Sequence, residues 1–428
     1  MSSRNLHIYK FGGASVKTAD GVRNLSNIVK PQSDNLIVVV SAMGKTTNAL
    51  EVILADFLAG NSKVWDGYKA LKAYHFEVLN GLFGNLVDSF SDSISVTFNE
   101  IEVFLKEEPS RDYNYCYDQL VSFGEMLSTQ IVSLYLNSIG VSNILVDARK
   151  ALISDCTYRE GNVDLEQSQK LSQQVFDFTK SNIYITQGFI AGTAKGTTTT
   201  LGREGSDYTA ALLANLLDAI DVTIWKDVEG VLNADPRIFP NTVKLSEVSF
   251  KEAIELAYCG AQIIHPKTIK PLQNKGIPLY VKSFLNPSAE GTRITPNAQR
   301  NELPPILVLK TNQALISLSP NDYSFVIEDC LSRIFAIFYK HRVKVNLVQS
   351  SAISFSVCVD NEKHFLPGAM KELSTDFAVR YNENLNLLTV RHYTKEVIDE
   401  LTHGRTLYLQ QLTRSTARFV MAPSIEHR

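Results

Sequence analysis

Three observations predict an α/β protein: a mostly parallel sheet sandwiched by helices, followed by a smaller α+β region. Apolar runs recur at 6–11 ("LHIYKF"), 35–42 ("NLIVVVSA"), 143–148, 183–192, 222–228 and 278–284. Continuous Val/Ile-rich runs of this kind mark strands buried on both faces, as in parallel sheets. Between them lie segments of helical period, such as 115–138, which stops before Gly140, and 207–219. That alternation reads as a doubly wound domain. After the polar, proline-containing stretch 286–305 the order changes to strand, helix, strand, strand, the opening of a split βαβ unit. With 428 residues the chain exceeds one typical core. The expected domains are 1–295 and 306–428.

In chain order, the first strand runs into "KFGGASV" (10–16). Gly12 and Gly13 fit either a tight turn, through backbone angles closed to other residues, or a phosphate cradle of bare N–H groups beside Lys10. The second strand leads to "MGKTTN", whose Gly44-Lys45-Thr46 imitates the tail of a Walker A loop. Position 39, where that loop needs glycine, is valine. In "DQLVSFGEMLSTQIVSLYL", Gly124 and Glu125 interrupt a strongly apolar helix. A glycine there costs about 1 kcal/mol against alanine, which points to close packing or close ligand approach. Glu125, among apolar neighbours, needs a cationic partner, either a structural ion pair or a ligand ammonium.

In "TLGREGSDYTAALLANLL" (200–217), Ser206 or Asp207 is the expected N-cap of the following helix. Arg203 gains nothing from a helix N-terminus that is already positive. It is either a surface arginine or a bidentate site for a carboxylate or phosphate. "WKDVEGVLNADPRIFP" (225–240) is a strand end, a glycine turn and an Asp-Pro turn. In "HPKT" (265–268), His265 reads as a helix-start or core histidine, with no chemical role.

Composition narrows the class. Hydrophobic and charged contents of 44% and 20% are those of an ordinary globular chain, and a net charge of -3 gives no nucleic-acid footprint. Five scattered cysteines without a CxxC pair argue for a reducing compartment, with neither a disulfide frame nor a zinc site. The N-terminus lacks an apolar signal region and no run of 18 apolar residues occurs, so a cytoplasmic protein with no membrane partner is expected.

Taken together, "KFGGASV", "SFGEMLS", "GREGSDYTAALLA", "KDVEGVLNADPR" and "HPKT" resemble, in order and approximate spacing, the aspartate kinase branch of the amino-acid kinase family. The likeness spans about residues 5–290, and five ordered motifs are more specific than one glycine-rich loop. It implies ATP-dependent phosphorylation of the L-aspartate side-chain carboxylate, an early step toward lysine, threonine, methionine and isoleucine. By the resemblance, Lys10 and Asp207 are catalytic, Lys10 meeting the transferring phosphoryl group while Asp207 holds it in register. Arg203 clamps the substrate α-carboxylate, Glu125 takes the α-ammonium, and Thr47 and Ser206 bind nearby. Lys10, Gly12, Gly13, Ser41, Asp227, Arg237 and Lys267 serve ATP, with Mg2+ carried by the nucleotide and no protein metal cage. Ala14, Glu204, Lys226 and Leu232 depart from the commonest family residues. Another kinase of the same fold, or a catalytically dead amino-acid sensor, are the alternatives.

The C-terminal region resembles the paired ACT regulatory domains of these kinases. A first unit is expected at about 306–380, then a shortened second one ending in a strand that could return to the first. ACT units commonly pair between chains, which implies a homodimer or higher homo-oligomer. A fused homoserine dehydrogenase is not expected, because the sequence ends at 428. In lysine-inhibited relatives acidic and hydroxyl groups read the effector. The matching Asn346, Ser351 and Ala352 are neutral, so weak inhibition by lysine is expected.

Overall fold

The structure, a computed structural model, describes residues 5–107, 112–261, 264–298, 303–322 and 325–423. The chain divides into two compact units: Met1–Val231 with Lys244–Ile254 and Gln262–Gln299, and Leu232–Val243 with Glu255–Ala261 and Arg300–Arg428. The predicted linker 286–305 includes residues 299–302, which lie outside the described residues.

The first unit is built on an eight-stranded sheet. Its order is Ile144–Val146, Ile183–Gln187, Asn35–Val40, Leu6–Phe11, Asp221–Lys226, Leu279–Ser283, Thr292–Thr295 and Glu247–Ser249. All neighbouring pairs are parallel except Leu279–Ser283 with Thr292–Thr295. Burial does not alternate along Asn35–Val40: all five residues after Asn35 are buried, as a doubly covered strand requires. One face packs Phe11, Val38, Val40 and Trp225 into a core shared with the helices Ala19–Val29, Thr46–Leu58, Val64–Phe83 and Phe123–Ser138. The helix Gly205–Leu216 also lies against Leu6–Phe11, and Pro266–Lys275 packs on that helix.

The apolar run 183–192 does not form one strand. It ends at Gln187, and Ile190–Thr193 joins a separate three-stranded sheet with Ile153–Ser154 and Thr198–Thr200. Segment 115–138 likewise divides into Tyr113–Val121 and Phe123–Ser138. The break falls at Ser122, whose hydroxyl donates to the Gln119 carbonyl and competes with the helical ladder.

In the second unit a six-stranded antiparallel sheet runs Val345–Ser350, Phe355–Asp360, Ile306–Pro320, Phe377–Arg391, Thr416–Met421, Leu407–Leu412. Two fifteen-residue strands at its centre pair along nearly their whole length, with a register shift between Lys310 and Leu315. Each therefore serves two units. Gln313–Pro320 and Phe377–Asn382 belong with the helices Glu328–Lys340 and Leu366–Leu373, which gives a complete βαββαβ unit. Leu385–Arg391 begins a second unit that carries a single helix, Lys395–Thr402. Its last strand pairs with Asn386–Arg391 within the same unit, and Ile306–Lys310 fills the outer position instead. The strand that returns is thus the first of the region, not the last.

Candidate active site

Turns at the carboxyl ends of the parallel strands converge on one cavity of about 910 Å³ in the first unit. Lys10, Ser41, Phe189 and Lys226 reach it from four strand ends, where open α/β sheets bind ligands. Of the residues singled out in the sequence, Lys10, Gly13, Ser41, Thr47, Glu125, Arg203, Ser206 and Asp207 line it.

A tight turn does form, with the Ser15 N–H donating to the Gly12 carbonyl at 2.9 Å, but Gly12 and Gly13 do not adopt left-handed backbone angles, so the turn does not explain the glycines. Gly13 is needed for proximity. A Cβ there would stand 2.5 Å from the Ala42 carbonyl oxygen, because the Gly44 N–H donates to the Gly13 carbonyl at 2.9 Å and locks the two turns together. Gly12 faces the Lys10 ammonium, 3.5 Å from where a Cβ would lie. Gly124 is equally crowded, with Ala42 Cβ and Thr46 Cγ2 3.0 and 3.1 Å from a Cβ built on it. Close packing is the reason for glycine in that helix.

The N-cap expected at Ser206 or Asp207 lies earlier. Glu204, at φ 52°, caps Gly205–Leu216 without a side-chain bond. This leaves Ser206 and Asp207 in the first turn. Asp207 is free of capping duty and meets Lys10 at 2.6 Å, with side-chain exposures of 4% and 11%. Two desolvated charges neutralise each other at the strand end.

Glu125 is buried, and its Oε1 accepts from the Ala42 N–H at 3.2 Å while Oε2 has no hydrogen-bond partner. Burial pushes its carboxyl up to about 8, against the pull of the Ala42 N–H and the Lys10 charge. The structural ion pair open from the sequence is not formed. Arg203 is exposed at the cavity, and among the described residues no carboxylate pairs with its guanidinium.

Nearby, His75 is fully buried between Thr46 Oγ1 at 3.5 Å and the Leu71 carbonyl at 2.8 Å. Burial lowers it to about 4, so it is a neutral strut. His265 caps Pro266–Lys275 by accepting from the Lys267 N–H, as a helix-start histidine should.

The remaining expected residues are not brought into this lining. Lys267 donates to the Leu201 carbonyl at 2.9 Å and lies 4.8 Å over the Tyr208 ring, and burial lowers its pKa. Asp227 is exposed just beyond Asp221–Lys226. Arg237 belongs to the second unit, where its exposed guanidinium pairs with Asp235 at 2.7 Å. Conversely, Tyr117, Phe189, Thr200 and the turn Thr157–Glu160 line the cavity without having been foreseen. The only sequence signal for that turn is a polar run, "SDCTYREGN", between apolar segments. Among the described residues no cluster of three or more His, Cys, Asp or Glu stands ready to hold a metal ion, and no helix is long and apolar enough to cross a membrane.

Comparison with known proteins adds independent findings. A profile described as the amino acid kinase family matches residues 5–283. The sequence is 32% identical over 395 residues to lysine-sensitive aspartokinase 3 of Escherichia coli (strain K12), covering 90% of this chain and 86% of that protein. It is 32% identical over 372 residues to the chloroplastic aspartokinase 1 of Arabidopsis thaliana, covering 83% of this chain and 63% of that one. The crystal structure of E. coli aspartokinase III with aspartate and ADP superposes with a TM-score of 0.82 at 28% identity, covering 97% and 96% of the two chains.

Proposed function

The chain belongs to the aspartokinases of the amino acid kinase family, which phosphorylate the L-aspartate side-chain carboxylate from ATP, and we propose how its cavity does so. The observation that carries the assignment is the pairing pattern. Lys10 and Asp207 form an ion pair at 2.6 Å, while among the described residues Glu125 and Arg203 of the same cavity form none. An amino acid supplies both missing charges: its ammonium meets Glu125 and its α-carboxylate meets Arg203. Glu125 then ionises against the ammonium, and the bidentate fork of Arg203 fixes the carboxylate plane.

The β-carboxylate is thereby aimed at the Lys10 end. One of its oxygens forms a bond to the γ-phosphorus as the bond from that phosphorus to the β,γ-bridging oxygen breaks, giving 4-phospho-L-aspartate and ADP. The carboxylate is already ionised at neutral pH, so no general base is required. Charge compensation by Lys10, with the backbone N–H groups of Gly12 and Gly13 and the Ser41 hydroxyl, supplies what phosphoryl transfer chiefly needs. Mg2+ carried by the nucleotide would supply neutralisation of phosphate charge. Thr47 and Ser206 flank the substrate, while Asp227, Lys267 and Arg237 remain proposed nucleotide contacts. The protein acts in amino-acid biosynthesis. We place it in the cytoplasm and expect a homo-oligomer formed through the ACT-like region, residues 306–428.

The test is hydroxylamine trapping of the acyl phosphate with aspartate, glutamate and acetylglutamate side by side. ATP-dependent hydroxamate with aspartate alone is expected. Trapping with glutamate in place of aspartate would favour a sister kinase, and no product with any acid would favour a dead sensor.

A further inference from the structure

Three non-glycine residues of the first unit hold left-handed backbone angles on this one cavity: Arg159 (φ 72°), Phe189 (φ 69°) and Glu204 (φ 52°). Such conformations cost of order 1 kcal/mol or more and persist only where neighbours enforce them. For Arg159 the enforcing group is visible. The buried carboxylate of Asp118 accepts from the Arg159 N–H at 2.8 Å, from the Thr200 N–H at 2.9 Å and from the Thr200 hydroxyl at 2.7 Å. One side chain therefore staples the Thr157–Glu160 turn to the strand that leads into Arg203. The two turns touch: the Arg159 carbonyl oxygen lies 3.4 Å from a Cβ built on Gly202. The Arg159 guanidinium rests 4.4 Å from the centre of the Tyr117 ring, and Tyr117 donates to Glu51 at 2.9 Å. Among the described residues no carboxylate is bonded to that guanidinium.

We infer that Arg159 is a specificity-determining residue, a second guanidinium that shares the substrate α-carboxylate with Arg203. Resting on the aspartate reading, this inference extends it by charge. Arg159 and Arg203 line the cavity together with the carboxylates of Glu125, Glu160 and Glu204, and an incoming α-carboxylate is the group that two guanidiniums on one wall would share. A guanidinium stacked on an aromatic ring is pre-aimed, since its planar fork keeps its N–H edge free. The strained backbone at Arg159 sets that fork on the wall that carries Arg203.

Arg159→Gly isolates the side chain, because glycine adopts φ 72° without strain. The aspartate KM is expected to rise about tenfold or more, as for loss of a hydrogen bond to a charged group, with the ATP KM and the melting temperature held. Competitive inhibition by β-alanine, the aspartate skeleton without its α-carboxylate, is expected to stay unchanged. In the Arg159→Gly/Arg203→Ala double variant the two losses should fall short of multiplying. An aspartate KM within twofold of wild type, or equal weakening of aspartate and β-alanine, would overturn the inference. So would a fall in melting temperature accompanied by parallel losses for both substrates. Failure of the aspartate reading is separate, since wild type would then form no aspartyl hydroxamate.

Discussion

A carboxyl held near pH 8 by burial is a poor anion until a cation joins it, and that makes Glu125 the residue whose behaviour is most readily measured. Aspartate binding must draw a proton off Glu125 at any pH below about 8. Its affinity is expected to weaken on acidification by up to about tenfold per pH unit. Calorimetry across pH 6–9 in buffers of different ionisation enthalpy checks this through proton release, and pH-independent binding would contradict it. Stability of the free protein runs the opposite way with pH. Below the ordinary value of 4.5 the carboxyl is protonated whether the chain is folded or not. Between 4.5 and about 8 only the unfolded chain releases the proton, so wild type loses stability as pH rises, and above 8 the difference is constant. Glu125→Gln should therefore gain stability relative to wild type between pH 5 and pH 8.5, by about 1–3 kcal/mol. Urea unfolding at the two values reads it, and a gap that narrows as pH rises would refute it. Glu125 and Arg203 were legible in the sequence because each is a charge in a setting that does not supply its partner. Arg159 was not. Its left-handed backbone carries no glycine or asparagine to announce it, and Asp118, which enforces it, stands 41 positions away.

Among elements, the strand ends matter more than the strands. The Val/Ile runs marked the parallel sheet correctly because doubly buried strands leave an unbroken apolar signature. Where elements stop was harder to read. The break at Ser122 and the cap at Glu204 depend on local bonds that no periodicity encodes. The role of Gly13 was half legible: glycine was required, but for a carbonyl arriving from the second strand end and not for its own backbone angle. Gly13→Ala is accordingly expected to push the two turns apart, costing about 1–3 kcal/mol. Because Lys10 and Ser41 flank those turns, kcat should fall at least tenfold. Thermal unfolding and steady-state turnover measure the two effects, and a variant with wild-type values of both would remove the argument for close approach.

For the whole molecule, the two-part architecture followed from a change of pattern near residue 300, but the sharing of strands did not. A fifteen-residue strand serving two units looks in sequence like one long strand. Only pairing reveals that Ile306–Lys310 completes the second unit and Gln313–Pro320 the first. In the second unit Asn346 is already spent. It accepts from Lys310 Nζ at 2.8 Å and donates to Gln313 at 2.8 Å and Asp360 at 2.7 Å. An incoming lysine ammonium would meet the charge of Lys310, with the Asn346 amide already in three hydrogen bonds and Asp360 already paired with Lys310 at 3.7 Å, and an unpaired buried charge is costly. Lysine is thus expected to inhibit weakly, with half-inhibition in the millimolar range or above. Titrating activity with lysine and threonine separately tests this, and strong micromolar inhibition by lysine that is lost on mutation of Asn346 would overturn it.

The division of labour between the two ends of the cavity is the central claim, and one set of saturation curves tests it. Lys10 alone cannot be removed cleanly, because Asp207 would be left buried without its partner at 2.6 Å. The neutral pair Lys10→Met/Asp207→Asn avoids this. Aspartate saturation of ATP-dependent hydroxamate formation should be measured for that double variant and for Glu125→Gln, at pH 8. The account predicts a kcat loss of at least about a hundredfold with little change in aspartate KM for the first. For Glu125→Gln it predicts an aspartate KM raised about thirtyfold or more. Wild-type kcat in the first variant together with wild-type KM in the second would contradict it.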